Sequence, residues 1–355
     1  MKRKKILMLL YFLFTIGLLL YIAWANPEWK DIGKAIPSFK VQWILLSLAF
    51  MVLYVLLDGV SIGLLGRLYG KDRFAGSGIK VALIGKYYSA VTPFSTGGQP
   101  WQIYSLNKAG LNPGHASSLL ITKFFIYQTL LTIFSIVGFA VHAGEVFRLS
   151  KLFFYAAVFG ILFNAFSPLI IILFTRHPKA LDKLLQWIVK LLHKVRIVRF
   201  ADQAEESMHR VVADFTDGIA FCKKDKKLVA RVVLYNVFEL FFYYSIPYFL
   251  YRGLGLAEVT LWDSYTLSLV VFLVMCFFPL PGGTGAAESG YMYLFSLQFP
   301  RESLFVTMLM WRAITYYLLI VVGSIVVMGD SFLRNRRQKK AAAETEPAVD
   351  MVDEG

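Results

Sequence analysis

The sequence predicts an all-α polytopic membrane protein, an inverted-topology repeat with two re-entrant hairpins of broken helix. Three observations predict it: an apolar composition, apolar runs long enough to cross a bilayer, and two glycine-rich breaks each followed at one fixed distance by a lone cation. The 355 residues are 57% hydrophobic and 17% charged, with a mean hydropathy of +0.58, the balance of a membrane protein. A bilayer core of about 30 Å needs about 20 apolar residues of helix. Runs of that kind stand at residues 6–25, 41–65, 117–141, 152–175, 228–251 and 303–328. The first follows Lys2, Arg3, Lys4 and Lys5, as a signal peptide would. Its apolar run is longer than a signal-peptide core, and Ala23-Trp24-Ala25 is a poor cleavage site, so it is expected to stay as a helix.

The breaks are TPFSTGGQP and PLPGGTGAAE. Gln99 is followed 24 positions later by Lys123, and Glu288 is followed 24 positions later by Arg312. Each cation has a tyrosine four residues on, Tyr127 and Tyr316. A broken helix is tolerated at membrane depth only where protein or a water-filled cavity covers the freed backbone groups. Two such breaks in corresponding places point to a transporter's binding site.

The net charge of +14 comes from cations beside the spans, which mark cytoplasmic loops and make nucleic acid an unneeded partner. The N-terminus, the loop with Arg67, Lys71, Arg73 and Lys80, the basic segment 176–227 and the C-terminal Arg334, Arg336 and Arg337 are all expected in the cytoplasm. Parity then sends residues 79–116 in and out on the cytoplasmic side and residues 263–298 in and out on the outer side. Repeat one covers about 41–141 and repeat two about 228–328, inverted with respect to each other, inside a flippase-like domain of residues 1–335. Between them, Leu181, Leu184, Leu185, Ile188, Leu191 and Leu192 recur at helical spacing. That helix either lies on anionic headgroups or packs on the stripe Ala204, Met208, Val211, Phe215 and Ile219. Residues 336–355 are expected to be a disordered tail.

Chemistry is sparse. Cys222 and Cys276 form no framework, the five histidines have no ligand spacing, and no metal or cofactor is expected. There is no G-x-S-x-G elbow, P-loop or H-E-x-x-H, so no catalytic residue is assigned. What remains is binding chemistry. A helix that starts inside the membrane aims unpaired N–H groups and a positive dipole end at the break. The second arms are expected to start near Pro100 and at Thr284 to Ala286, and opposed N-termini of this kind suit a phosphate. Thr96, Gly97, Gly98, Gln99 and Gln102 at one break, and Gly282, Gly283, Thr284, Gly285 and Glu288 at the other, are the candidate substrate contacts, with Lys123 and Arg312. Intramembrane charges are functional candidates by default. Glu288 can pair with Arg312, and Asp58 or Glu239 can neutralise Lys123; Lys86 is expected to snorkel toward the interface.

TPFSTGGQPWQIYSL, the cation in the following span, and PLPGGTGAAESGY with Arg312 resemble the transmembrane domain of the lysylphosphatidylglycerol synthase family, the flippase region of multiple peptide resistance factors. The likeness covers about residues 5–330 and rests most on Pro281, Gly282, Gly283, Gly285 and Glu288. It implies a lipid translocase of the plasma membrane that moves aminoacylated phosphatidylglycerol or related lipids, with both termini in the cytoplasm. Phospholipid is the implied partner, and a separate synthase or glycosyltransferase and a homo-oligomer stay open. In the family the first glycine motif continues as Glu, two residues, then Arg; Gln99 and Gln102 stand here, which favours a phosphate-linked lipid with a neutral or sugar headgroup over a lysyl one. The soluble synthase domain is expected to be missing after Gly355. Two other functions remain: a membrane component of lysyl transfer, and a small-solute secondary transporter.

Overall fold

The computed structural model describes residues 39–70, 75–176, 187 and 225–345. The first apolar run, the two stripes of the amphipathic segment between the repeats and residues 346–355 lie outside them. The described chain is helical, without strands. Its elements are α1 (Val41–Gly66), a 3-10 turn (Arg67–Tyr69), α2 (Ala75–Ala90), a 3-10 turn (Pro93–Ser95), α3 (Gly98–Lys108), α4 (Pro113–Leu149), α5 (Lys151–Arg176), α6 (Lys226–Tyr244), α7 (Ile246–Gly253), α8 (Leu261–Met275), a 3-10 turn (Pro281–Gly283), α9 (Ala286–Leu294), a 3-10 turn (Phe295–Leu297), α10 (Arg301–Arg312), a π turn (Ala313–Tyr317) and α11 (Leu318–Thr345).

Five helical stretches are long and apolar enough to cross a membrane: Val41–Tyr69, Pro113–Leu149, Lys151–Ile170, Lys226–Gly253 and Arg301–Asp330. They coincide with the five runs from residue 41 onward. Along α5, Leu152, Tyr155, Phe159, Leu162, Phe166 and Leu169 are exposed, an apolar stripe suited to a lipid solvent.

Local chemistry sets the boundaries. Asn112 accepts the His115 N–H at 2.9 Å and Pro113 follows it as the first residue of α4, a capped start with proline where its missing N–H does no harm. Asp225 caps α6 through the Leu228 N–H at 2.9 Å. Thr260 caps α8 through the Asp263 N–H at 3.1 Å. Pro247 stands in the first turn of α7 and separates it from α6. α11 continues to Thr345; Arg, Gln, Lys and Ala, strong helix formers, fill its last turns.

Glycines bring backbones together. A Cβ on Gly78 of α2 would lie 2.2 Å from the Gly59 carbonyl oxygen of α1, and one on Gly160 of α5 would lie 2.1 Å from the Leu273 carbonyl of α8. Membrane helices pack through such small residues because lipid supplies no hydrophobic drive between them.

Contacts between helix ends group the ends in two sets. At one, Tyr69 after α1 donates to Ser118 of α4 at 2.9 Å, and Lys80 of α2 pairs with Asp330 of α11. At the other, the Lys40 N–H before α1 donates to the Gly253 carbonyl of α7 at 2.9 Å, and His142 near the end of α4 meets Asp263 and Thr266 at the start of α8. The 3-10 turns at the two breaks, Pro93–Ser95 and Pro281–Gly283, touch each other.

Candidate functional site

The two breaks share one backbone device. In each, a proline opens a 3-10 turn and the next two residues take left-handed φ: Phe94 at 50° and Ser95 at 55°, Gly282 at 58° and Gly283 at 63°. The same pair of N–H bonds closes both, Ser95 to Thr92 and Thr96 to Pro93 in one, Gly283 to Leu280 and Thr284 to Pro281 in the other. Glycine adopts this conformation freely, whereas a side chain there costs about 1–2 kcal/mol per residue. The breaks diverge at the threonine, with ψ of −19° at Thr96 and 138° at Thr284, and at the next residue, with φ of −73° at Gly97 and 88° at Gly285.

At the first break the Gly97 N–H donates to the Thr92 hydroxyl at 2.9 Å, and α3 starts at Gly98, two residues ahead of Pro100, where its start was expected. Proline in a first helical turn breaks no bond. Gly98 is required by space: a Cβ there would lie 2.1 Å from Ser89 Oγ and 2.7 Å from the Gly85 carbonyl.

The second break is closed by its own charges. Glu288 Oε2 accepts the Gly285 N–H at 2.6 Å, so the N-terminus of α9, expected to receive a phosphate, already holds a carboxylate. Glu288 Oε1 lies 2.7 Å from Arg312 Nε; that N–H is not aimed at it, so the contact is ionic. Arg312 Nη2 donates to the Gly282 carbonyl at 3.1 Å. Both side chains are 4% exposed. The guanidinium lies over the rings of Trp311 and Tyr316, and the Tyr316 hydroxyl donates to the Ala90 carbonyl at 2.9 Å, tying the arm after one break to the helix before the other. The π turn that begins after Arg312 widens the helix where both side chains must face the break.

A cavity of about 660 Å³ lies among α1, α2, α3, α4, α6 and α8. Of the sequence candidates, Thr96, Gln99, Gln102 and Lys123 line it, with Asp58, Lys86 and Glu239. Gly97, Gly98, Gly282, Gly283, Thr284, Gly285, Glu288 and Arg312 are not among its lining residues. Four of the lining charges form one cluster from four helices. Asp58 holds Lys86 at 2.8 Å through Oδ2 and Lys123 through Oδ1, while Glu239 stands 3.7 Å from each lysine. Two carboxylates balance two ammonium groups. Lys86 is therefore not at the interface: its side chain is 12% exposed and its Nζ lies 3.7 Å from the centre of the Tyr54 ring.

Sequence reasoning missed several lining residues, among them Tyr54, Tyr243, Ser89 and Gln128. A signal for two of them existed: Tyr54 stands four residues before Asp58 and Tyr243 four after Glu239, the one-face spacing of a helix. Gln128 donates to Asn164 of α5 at 2.5 Å. His142 is buried; it lies 2.9 Å from Glu145 and 2.9 Å from Thr266 Oγ1, joining α4 to α8. Among the described residues no group of three or more His, Cys, Asp or Glu could hold a metal ion.

Helices of this length around a polar, charge-lined cavity define a multi-pass membrane protein with a buried polar site. The chain belongs to the family described as the lysylphosphatidylglycerol synthase TM region, which it matches over residues 8–323. It is similar to a UPF0104 membrane protein of Archaeoglobus fulgidus, 26% identical over 298 residues, covering 81% of this chain and 87% of that one.

Proposed function

We propose that the chain is a lipid translocase of the plasma membrane that carries a phosphate-bearing lipid headgroup through the cavity, with Lys86 and Lys123 as the phosphate ligands. The observation that carries this is the 660 Å³ cavity, whose two ammonium groups lie beside Gln99, Gln102, Ser89 and Thr96. A phosphate takes charge-assisted hydrogen bonds from lysine, and the two glutamines and two hydroxyls offer neutral donors and acceptors to a glycerol or sugar headgroup. A lysyl headgroup would add a cation to a site whose acids are already engaged. Arg312 passes from ligand to structural residue, since Glu288 and the Gly282 carbonyl occupy it.

Alternating access through an inverted repeat completes the proposal. It is supported by the order helix, short helix, break, short helix, long helix, which occurs twice, by the shared turn and by the touching tips. The end contacts support opposite entry: α2 starts beside Asp330, α8 beside His142. The positive-inside rule assigns the Lys80 end to the cytoplasm.

The test is purified protein in liposomes with fluorescent phosphatidylglycerol, lysylphosphatidylglycerol or a glycolipid lacking phosphate, each measured by its accessibility in the outer leaflet. Faster leaflet exchange of phosphatidylglycerol than of either other lipid supports the assignment. Movement of lysylphosphatidylglycerol alone restores the lysyl substrate, and uptake of small solutes without lipid exchange replaces translocation by solute transport.

A further inference from the structure

The charge cluster contains an asymmetry that lipid binding alone does not use. Asp58 is in close contact with both lysines. Glu239 is 3.7 Å from both, is 1% exposed, and its Oε2 has no hydrogen-bond partner. A buried carboxylate oxygen that accepts no hydrogen bond is held in its ionised form by charge alone. Lining the cavity with it are Tyr54 and Asp58 from α1, Lys86 from α2, Lys123 and Tyr127 from α4, Tyr243 and Tyr244 from its own helix, and the uncharged Ser268 from α8. The lysines are the cations among these groups, so whatever draws them away leaves Glu239 without compensation.

We infer that the protein is a proton-coupled carrier, in which Glu239 takes up one proton for each lipid phosphate that engages Lys86 and Lys123. The inference rests on the lipid-translocase reading. The empty cluster is formally neutral, two acids against two ammonium groups. A phosphodiester adds one negative charge to a buried site, where an unbalanced charge is strongly disfavoured. One proton restores neutrality, and Glu239 receives it because Asp58 keeps the closer contacts. The proton comes from water on the side to which the cavity is open, resides on the Glu239 carboxylate while the lysines turn to the phosphate, and returns to water on the other side when the lipid leaves. The Tyr54 and Tyr127 phenols are neighbours within electrostatic reach of Glu239. Because charge moves with its counter-charge, the cycle is electroneutral, and a pH difference is its driving force.

The test uses the full chain in liposomes with a trace of fluorescent phosphatidylglycerol and a lumenal pH dye. With one proton per lipid, a gradient of one pH unit should bias the leaflet distribution of the lipid about tenfold at steady state, one decade of equilibrium constant for one decade of proton activity. A lipid imbalance imposed at equal pH should in turn shift the lumenal dye. Glu239→Gln should let the lipid equilibrate with a ratio near one whatever the gradient. Lipid exchange in the unmodified protein that ignores the gradient overturns the coupling and leaves translocation standing, as does a gradient response that survives Glu239→Gln. Absence of any lipid exchange removes both. If Glu239→Gln does not fold, the two measurements on the unmodified protein decide the matter.

Discussion

Replacing Arg312 by alanine separates a structural ion pair from a substrate ligand. In the fold this guanidinium meets Glu288 at 2.7 Å and donates to the Gly282 carbonyl at 3.1 Å, with both charged side chains 4% exposed. Arg312→Ala strands a buried carboxylate, a loss of about 3–5 kcal/mol, and orphans a backbone carbonyl, about 1–3 kcal/mol more where the two losses do not overlap. Against a typical stability of about 5–15 kcal/mol the single variant should yield little folded protein. Adding Glu288→Ala removes the stranded charge. What remains is the lost acceptor for the Gly285 N–H, about 1 kcal/mol as for other helix caps, and the orphaned carbonyl. The double variant should therefore withstand heat better than the single one, although it deletes more. Arg312→Lys should fall between, since one ammonium cannot reproduce the guanidinium's several fixed donors. Size-exclusion profiles of fluorescently tagged protein after heating in detergent measure all three. A single variant as heat-resistant as the unmodified chain, or a double variant weaker than the single, would refute the reasoning and return Arg312 to the list of ligands.

Lys86→Met leaves Asp58 and Glu239 against Lys123 alone, an imbalance that one proton on Glu239 removes, so the variant should fold yet slow leaflet exchange of phosphatidylglycerol about tenfold or more, the worth of one charge-assisted contact; exchange at the normal rate would remove Lys86 from the site. Ser95→Gly should raise thermal stability by about 1 kcal/mol, since it relieves a non-glycine residue at φ 55°, and a loss of stability would mean that the Ser95 side chain is needed where it stands. Tyr316→Phe should lower stability by about 0.5–1.5 kcal/mol by removing the 2.9 Å bond to the Ala90 carbonyl; unchanged stability combined with altered exchange would assign that bond to the transport cycle.

Much of the fold was legible because its signals are local. Span length and cation placement gave the five described crossings, and glycine with proline gave the two breaks. The pairing of Glu288 with Arg312 was legible too, because the offset of 24 residues occurs twice in the chain. Depth was not legible. Lys86 looked like a residue near the interface, since its helix begins in a basic loop. That helix ends at Ala90, at the break, and eleven residues at 1.5 Å each put Lys86 roughly 16 Å beyond Ala75, about half of a bilayer core of about 30 Å. Under the proposed re-entrant arrangement a cation near the end of such a helix is at maximum depth, whereas in a through-going span it would be near the far surface.

The second unreadable quantity was which cation is already satisfied. Lys123 and Arg312 are equivalent in sequence, each with a tyrosine four residues on, and in the fold each lies over that ring. Their surroundings part because Glu288 stands in the first turn of α9, where it binds an N–H of its own break and the guanidinium together. Gln99, as far ahead of Lys123 as Glu288 is ahead of Arg312, offers Lys123 no charge. Lys123 therefore turns to Asp58 of α1, and with Lys86 and Glu239 it leaves the charge balance of the cavity spread over four helices. A charge satisfied within one break holds that break shut. Charges shared among four separate helices change whenever those helices move, so in the proposed translocase the Gln99 half, and not the Glu288 half, is the one to bind a headgroup in one arrangement and release it in another.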